Sequence, residues 1–188
     1  AIEFIKKNRY RPFFLYLAHN MPHTPLYPGK EFEGQSDYGI YGDCVEEIDW
    51  NTGRILETLK ELDIDDNTFV IFASDNGPWI EEEKGRTPDA KNSRLQSGSA
   101  KPLRGAKMTT WDGGCRVPCV MRWPEKIPAN KELNEIVTAM DFMPTLSQLA
   151  GIKVPQDRII DGKNVMPLLS GKTEKSPHEA YYYYKHTQ

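Results

Sequence analysis

The fold is decided by one stretch of sequence, Thr68-Phe69-Val70-Ile71-Phe72-Ala73-Ser74-Asp75-Asn76-Gly77-Pro78. Residues 70–72 do not alternate with polar residues, which predicts a strand covered on both faces, as in a parallel α/β sheet. The polar residues that follow lie where open α/β sheets bind ligands, at the carboxyl end of a strand. Asp75 and Asn76 offer adjacent oxygen ligands that suit a hard cation such as calcium or magnesium. The alternative is a simple turn, because Asp, Asn, Gly and Pro all favour turns.

The composition indicates a globular domain. The chain has 188 residues, 38% of them hydrophobic and 27% charged, and a net charge of −3, which allows one domain with a sizeable core. It carries no basic block, so we expect no nucleic-acid partner, and no apolar run approaches the ~20 residues that span a bilayer. Cys115 and Cys119 are close enough in sequence to be bridged, but buried or half-buried free thiols are the favoured interpretation for all three cysteines.

Apolar runs and helical periodicity predict an α/β chain. Besides the strand in the opening stretch, apolar runs predict strands at residues 13–18, 119–124, 136–141 and 181–184. Apolar residues spaced by three and four predict a helix over residues 41–62, and shorter helices are predicted over residues 2–8, 142–150 and 164–169. The strands on either side of the long helix would form a right-handed βαβ unit.

Three loops carry the residues that could take part in binding or catalysis, namely residues 19–25, 74–78 and 102–114. They offer the imidazole of His23, the oxygen ligands of Asp75 and Asn76, and fixed cations such as Lys107. This set suits an anionic tetrahedral group held against a cation, with a histidine able to protonate a departing oxygen. The alternatives are a hydrogen-bonded loop histidine and an ordinary solvated lysine, and the role of the nearby His19 stays open.

Four linked motifs resemble the arylsulfatase family. They are Phe13-Phe14-Leu15-Tyr16-Leu17-Ala18 with Pro22-His23-Thr24-Pro25, then Ser74-Asp75-Asn76-Gly77-Pro78, then Leu103-Arg104-Gly105-Ala106-Lys107 with Thr109-Thr110-Trp111-Asp112-Gly113-Gly114-Cys115-Arg116-Val117-Pro118, and Met140-Asp141-Phe142-Met143-Pro144-Thr145-Leu146. Their order and spacing match the family from about Arg11 to the end, which makes coincidence improbable.

The resemblance implies a fold of the alkaline phosphatase superfamily, an α/β class with a mixed, largely parallel sheet flanked by helices. This chain would be a partial copy of it. Residues 1–155 would form the C-terminal part of the catalytic domain, and residues 156–188 would begin a small C-terminal subdomain.

The resemblance also implies roles for individual residues. Asp75 and Asn76 match the pair that binds the divalent cation, usually calcium. His23 matches the histidine that contacts the sulfate near its bridging oxygen and assists the leaving group, and Lys107 matches a lysine that binds sulfate oxygens. We therefore expect His23 and Lys107 to be both catalytic and substrate-binding, with Arg104, Thr110 and Arg116 in supporting roles.

Part of the family's active site has no match in this chain. The family's nucleophile is a formylglycine made from the first residue of a Cys/Ser-x-Pro-x-Arg motif, and none of Cys44, Cys115 and Cys119 begins such a motif. The paired aspartates that complete the metal site are also missing. We therefore expect a piece of a longer protein whose N-terminal half supplies both, and we expect the 188 residues alone to be inactive and to bind calcium weakly.

The expected function is hydrolysis of a sulfuric ester, dependent on formylglycine and calcium in the full-length protein. The alternatives are a phosphate or phosphonate ester hydrolase of the same superfamily and a non-catalytic sulfate-binding pseudoenzyme. The expected partners are a sulfated small molecule or glycan and the N-terminal half of the same protein. By resemblance, the location would be extracytoplasmic, meaning periplasmic, secreted or lysosomal. Residues 79–100 are predicted to line the mouth of the site.

Overall fold

The computed structural model describes residues 1–80 and 97–184. In chain order the elements are α1 (Ile2–Asn8), α2 (Gly39–Glu61), β1 (Val70–Ala73), α3 (Asp112–Cys115), β2 (Cys119–Arg122), a 3₁₀ turn (Ala139–Asp141), α4 (Phe142–Leu149) and α5 (Met166–Leu169). The predicted helices over residues 2–8, 41–62, 142–150 and 164–169 are all confirmed, with ends that differ by up to two residues. None of the helices in these two described stretches is long and apolar enough to cross a membrane.

The longest element, α2, is held in place by its buried face. Cys44, Ile48 and Leu59 lie on that face, at the three- and four-residue spacing that gives a helix one apolar side. Helix α1 packs against α2. A buried carboxylate fixes the start of the helix: Asp43 accepts hydrogen bonds from the backbone N–H groups of Gly34 (2.9 Å) and Ser36 (2.8 Å). These two bonds hold the pKa of Asp43 below its ordinary value.

Strands β1 and β2 form a two-stranded antiparallel sheet in which Val70 pairs with Arg122 and Ala73 with Cys119. The predicted strand at residues 119–124 is therefore confirmed for its first four residues. The pairing is antiparallel, unlike the largely parallel arrangement expected. The sheet is also less covered than expected, because Phe72 is 43% and Val120 64% exposed.

A bidentate ion pair joins the turn before β1 to the end of β2. The guanidinium of Arg122, the last residue of β2, donates to both carboxylate oxygens of Asp65 at 2.6 and 2.5 Å. These bonds hold the pKa of the Asp65 carboxyl below its ordinary value. Next to this pair, the rings of Phe69 and Trp123 stack with their centroids 5.6 Å apart. The turn before β1 is thereby attached to the end of β2.

Three predicted strands are wrong. Residues 13–18, 136–141 and 181–184 form no strand, and the only strands within the two described stretches pair with each other. An apolar run indicates which side chains prefer burial, but a strand also needs a hydrogen-bonded neighbour. Residues 139–141 form the 3₁₀ turn instead.

The C-terminal part of the chain is organised around Asp141, whose side chain is fully buried. Its carboxylate accepts hydrogen bonds from the backbone N–H groups of Thr138 (2.7 Å) and Lys163 (2.8 Å) and from Nε2 of His178 (2.6 Å). A buried carboxylate needs several such donors to offset its lost hydration. One side chain thus joins three segments that are distant in sequence.

We predict that the Asp65–Arg122 pair stabilises the sheet. Because folding lowers the pKa of Asp65 below 3.8, its contribution is fully present above that pH and disappears as the pH falls through the folded-state pKa. We expect Asp65→Asn to lower the free energy of unfolding by about 1–2 kcal/mol at pH 7, since both side chains keep some contact with water. Urea unfolding followed by tryptophan fluorescence measures this.

The matched control is Asp157→Asn. Asp157 makes the same two-pronged contact with Arg158, but both side chains are 66% exposed, so water screens the pair and no change is expected. Equal losses in the two variants, or an Asp65→Asn effect that persists in acid, would contradict the prediction.

Candidate active site

Two of the three predicted loops are joined by backbone hydrogen bonds. The N–H of Gly77 donates to the carbonyl of Gly114 (2.9 Å), and the N–H of Lys107 donates to the carbonyl of Pro78 (2.9 Å). We call this contact the loop junction, formed by residues 77–78 with residues 104–114. It brings Lys107 next to the segment that carries Asp75 and Asn76.

The loop junction depends on glycine because the two backbones approach too closely for side chains. A Cβ atom on Gly77 would overlap the carbonyl oxygen of Gly113, and a Cβ on Gly113 would overlap that of Gly105. Gly105 also has a φ of +83°, a conformation in which a Cβ is strained. The glycines of these motifs therefore have a packing role that is independent of any chemistry.

Asp75 and Asn76 occupy a bend directly after β1, with Asp75 exposed and Asn76 half-buried. The hydroxyl of Ser74 donates to the carbonyl of Asn76 (2.9 Å) and closes this bend. The chain thus makes the turn that its composition favours, and it leaves the carboxylate of Asp75 accessible. In residues 1–80 and 97–184, no group of three or more His, Cys, Asp or Glu side chains is placed to hold a metal ion. Asp75 and Asn76 suit a hard cation as one part of a larger set of oxygen ligands.

Lys107 is half-buried and lies in a loop that is held by its own hydrogen bonds. The hydroxyl of Thr109 donates to the carbonyl of Ala106 (2.8 Å), and the N–H of Gly113 donates to the carbonyl of Arg104 (2.7 Å). The guanidinium of Arg104 lies 3.6 Å above the ring of Trp111, so this cation is already engaged. The ammonium of Lys107 makes no hydrogen bond or ion pair with the part of the chain that the structure describes, and it can bind an anion.

His23 is exposed at the surface of the first loop. Its Nδ1 lies 2.6 Å from the carbonyl oxygen of Thr24. A carbonyl oxygen only accepts hydrogen bonds, so Nδ1 carries a proton and Nε2 is the atom available to a ligand. No hydrogen bond or ion pair between described residues joins His23 to Asp75, Asn76 or Lys107, so its approach to that group stays a prediction.

Helix α2 lies near both parts of the candidate site, a position that the sequence analysis missed. Glu47 accepts a hydrogen bond from the N–H of Gly29 (2.7 Å), shortly after the His23 loop. Tyr41, at the start of the helix, lies near Pro78. A Cβ built on Gly98 would be 2.7 Å from the Tyr41 hydroxyl and 3.0 Å from Cβ of Pro78, so Tyr41 and Pro78 are neighbours. Tyr41 lies in the first turn of α2, and the sequence analysis predicted for it only a place at the start of the helix.

The structure also bears on the prediction for the three cysteines. All three are free thiols, and Cys44 is buried whereas Cys115 and Cys119 are exposed. The prediction of free thiols is therefore confirmed, but the predicted burial of Cys115 and Cys119 is wrong. Burial raises the pKa of the Cys44 thiol.

Most of the predicted mouth loop, residues 81–96, lies outside the described residues.

The chain is similar to proteins of one family. Residues 1–152 match the family profile described as Sulfatase. Human steryl-sulfatase is 42% identical over 184 residues, which are 98% of this chain and 30% of that protein. Human N-acetylgalactosamine-6-sulfatase is 41% identical over 185 residues, 97% of this chain and 33% of that protein. A solved structure related to glycosaminoglycan metabolism by Bacteroides thetaiotaomicron has a TM-score of 0.80 at 34% identity, covering 93% of this chain and 36% of that one.

These likenesses confirm the predicted fold class, an α/β fold of the alkaline phosphatase type, and the antiparallel pair is compatible with a mixed sheet. The chain spans about a third of the length of the curated relatives it matches. The profile covers well over half of the chain, and the identity extends over nearly all of it. The chain therefore belongs to the sulfatase family.

Proposed function

We propose that the protein containing this chain hydrolyses sulfuric esters as an arylsulfatase-like enzyme. The observation that carries the proposal is the loop junction, whose backbone hydrogen bonds hold the loop of Lys107 against the segment that carries Asp75 and Asn76. A cation next to two oxygen ligands suits a sulfate group held between a lysine and a metal ion. Membership of the sulfatase family supports the same reaction.

Lys107 would bind the sulfate oxygens. A half-buried ammonium attracts an anion more strongly than one in open water, because the local dielectric constant is lower. The hydrogen bond from its backbone N–H to Pro78 fixes the base of the side chain. Lys107 would therefore stabilise the charge on the sulfate oxygens with little reorganisation during the reaction.

His23 would serve the leaving group. With Nδ1 held by Thr24, its Nε2 is the atom that can carry a second proton toward a ligand. In the charged form, Nε2–H can donate that proton to the bridging oxygen as the ester bond breaks, so that the product leaves as a neutral alcohol.

Asp75 and Asn76 would hold a divalent cation, for which calcium is the best candidate because both ligands are oxygen atoms. When bound, that cation would supply positive charge against the sulfate oxygens. Further acidic ligands and the nucleophile, a formylglycine, would come from an N-terminal half of the same protein. The 188 residues alone would then be inactive and bind calcium weakly.

The remaining expectations stay part of this proposal. Residues 1–155 would complete the catalytic domain, and residues 156–188 would open a C-terminal subdomain. The names of two relatives, steryl-sulfatase and N-acetylgalactosamine-6-sulfatase, support a sulfated ring-bearing alcohol as substrate, either a small molecule or a glycan unit. We place the protein outside the cytoplasm, in a periplasmic, secreted or lysosomal setting.

We predict that Lys107→Ala in the complete protein lowers kcat/KM for an aryl sulfate by about 100-fold or more, the effect of removing a preorganised charge from a developing anion. The matched control is Lys101→Ala, at an exposed lysine that directly precedes the same loop, and this variant should retain activity. Initial rates on an aryl sulfate and an aryl phosphate measure both the loss of kcat/KM and the preference of the enzyme for one ester over the other. Equal rates in the two variants would contradict the role of Lys107, and faster turnover of the phosphate would favour the phosphatase alternative.

We also predict that Asp75→Asn weakens calcium binding by the complete protein by about tenfold or more, because the site loses an anionic ligand. Titration calorimetry with calcium measures this. Asp37→Asn, at an exposed carboxylate, is the matched control and should bind calcium like the unaltered protein. Unchanged affinity in Asp75→Asn would exclude Asp75 as a ligand.

A further inference from the structure

Arg104 and Trp111 form a stack within the loop junction. The guanidinium of Arg104 lies 3.6 Å from the centroid of the Trp111 ring, where the negative face of the indole attracts the cation. Both residues are exposed, and Trp111 keeps 49% of its surface open to solvent. We call these two residues the stacked pair. The contact fixes the plane of the guanidinium and leaves its N–H edge open.

Backbone hydrogen bonds hold the stacked pair in the frame of the loop junction. The N–H of Gly113 donates to the carbonyl of Arg104 (2.7 Å). The N–H of Gly114 donates to the carbonyl of Trp111 (2.8 Å), and the carbonyl of Gly114 accepts the N–H of Gly77 (2.9 Å). Both residues of the stacked pair are therefore bonded directly to the segment that joins the two loops.

Close packing inside this loop also places the stacked pair near Lys107. A Cβ built on Gly105 would lie 2.7 Å from Cβ of Trp111, so the Trp111 side chain begins directly against the backbone next to Arg104. Arg104 and Lys107 are three positions apart, and their Cα atoms are therefore at most about 11 Å from each other. The two cations project from one fixed loop, close enough for one ligand to contact both.

The N–H edge of the Arg104 guanidinium has no partner within residues 1–80 and 97–184, where the ion pairs join other residues. The ring of Trp111 occupies only the face of the guanidinium. The loop thus holds two cations, Arg104 and Lys107, that no described carboxylate neutralises, and such a surface attracts anions. A guanidinium fixed by its face offers a planar fork of N–H groups that matches two oxygens of a carboxylate or a sulfate.

We propose that Arg104 binds a second anionic group of the substrate, beside the sulfate ester that Lys107 would hold. This inference rests on the proposed function and narrows its substrates to polyanionic glycans. The chemistry recognised is an anion with two oxygen acceptors, which a second sulfate and a uronic acid carboxylate both supply. Trp111 is a positioning residue, because it contacts the guanidinium and not the substrate.

A second stack in α2 provides the matched comparison. The guanidinium of Arg54 lies 4.7 Å from the centroid of the Trp50 ring, and Trp50 is 47% exposed. These residues are four positions apart in a helix, where side chains are neighbours on the surface. The two stacks agree in residue types and exposure, but only the stacked pair belongs to the loop junction.

The test measures steady-state kinetics of the complete protein on three esters. These are N-acetylgalactosamine 6-sulfate, its 4,6-disulfate, and a disaccharide that joins the 6-sulfate to a uronic acid. Arg104→Gln should lower kcat/KM by about tenfold or more, mainly through KM, for the doubly charged ester that the unaltered protein prefers, since charge-assisted hydrogen bonds are lost. The singly charged ester should be hydrolysed as before. The ester that is affected identifies the second anion, and Arg54→Gln should match the unaltered protein on all three.

Two further measurements separate recognition of charge from simple support of the loop. Trp111→Leu should reduce the preference for the doubly charged ester by about two- to fivefold, whereas Trp111→Phe, which keeps an aromatic face, should restore most of it. The preference of the unaltered protein should also decrease as the salt concentration rises, because the extra contact is between exposed charges.

Three results would overturn the inference about Arg104. They are equal kcat/KM of the unaltered protein for singly and doubly charged esters, an equal effect of Arg104→Gln on every ester, and loss of folded protein in both Arg104→Gln and Arg104→Lys, which would make the guanidinium a structural contact. In each of these cases turnover of the singly charged ester by the unaltered protein would leave the proposed function standing. If the unaltered protein hydrolysed no sulfate ester at all, the proposed function itself would fail.

Discussion

The hydrogen bonds between Gly77 and Gly114 and between Lys107 and Pro78 are the contacts on which the candidate site depends. They connect a loop that follows β1 to a loop that precedes β2, and the pairing of these strands brings both loops to the same place. At Gly77 and Gly113 the two backbones approach so closely that a Cβ atom would overlap a carbonyl oxygen. The site is thus assembled by main-chain contacts, and the charged side chains project from a frame that does not depend on them.

The residues that hold the loops together are thus different from the side chains that would act on a substrate. Helix α2 lies near both regions, because Glu47 accepts a hydrogen bond from Gly29, four residues after the His23 loop, and Tyr41 is a neighbour of Pro78. A histidine on a separately supported loop can adjust to a ligand without disturbing the loop junction. Such a division is common where a rigid scaffold presents functional loops.

Local patterns could be predicted from the sequence, and long-range partners could not. The apolar stripe of α2 is a property of neighbouring residues, and the structure gives that helix within two residues of its predicted ends. Residues 13–18 were predicted as a strand, but a strand exists only with a partner, which an apolar run does not identify. The motif order indicated that Asp75 and Lys107 belong to one site, and the structure brings their loops together. The proximity of Tyr41 to Pro78 was not predicted, because it joins segments that are distant in sequence.

The most direct test of the account is the substitution Gly77→Ala in the complete protein, compared with Gly53→Ala. A Cβ at Gly77 meets the carbonyl of Gly113, whereas a Cβ at Gly53, in α2, meets nothing within 4 Å. Calcium affinity and aryl sulfate turnover should be measured for both variants. The account predicts that Gly77→Ala loses most of both while Gly53→Ala keeps both. A Gly77→Ala protein with unchanged affinity and turnover would contradict the claim that the loop junction assembles the site.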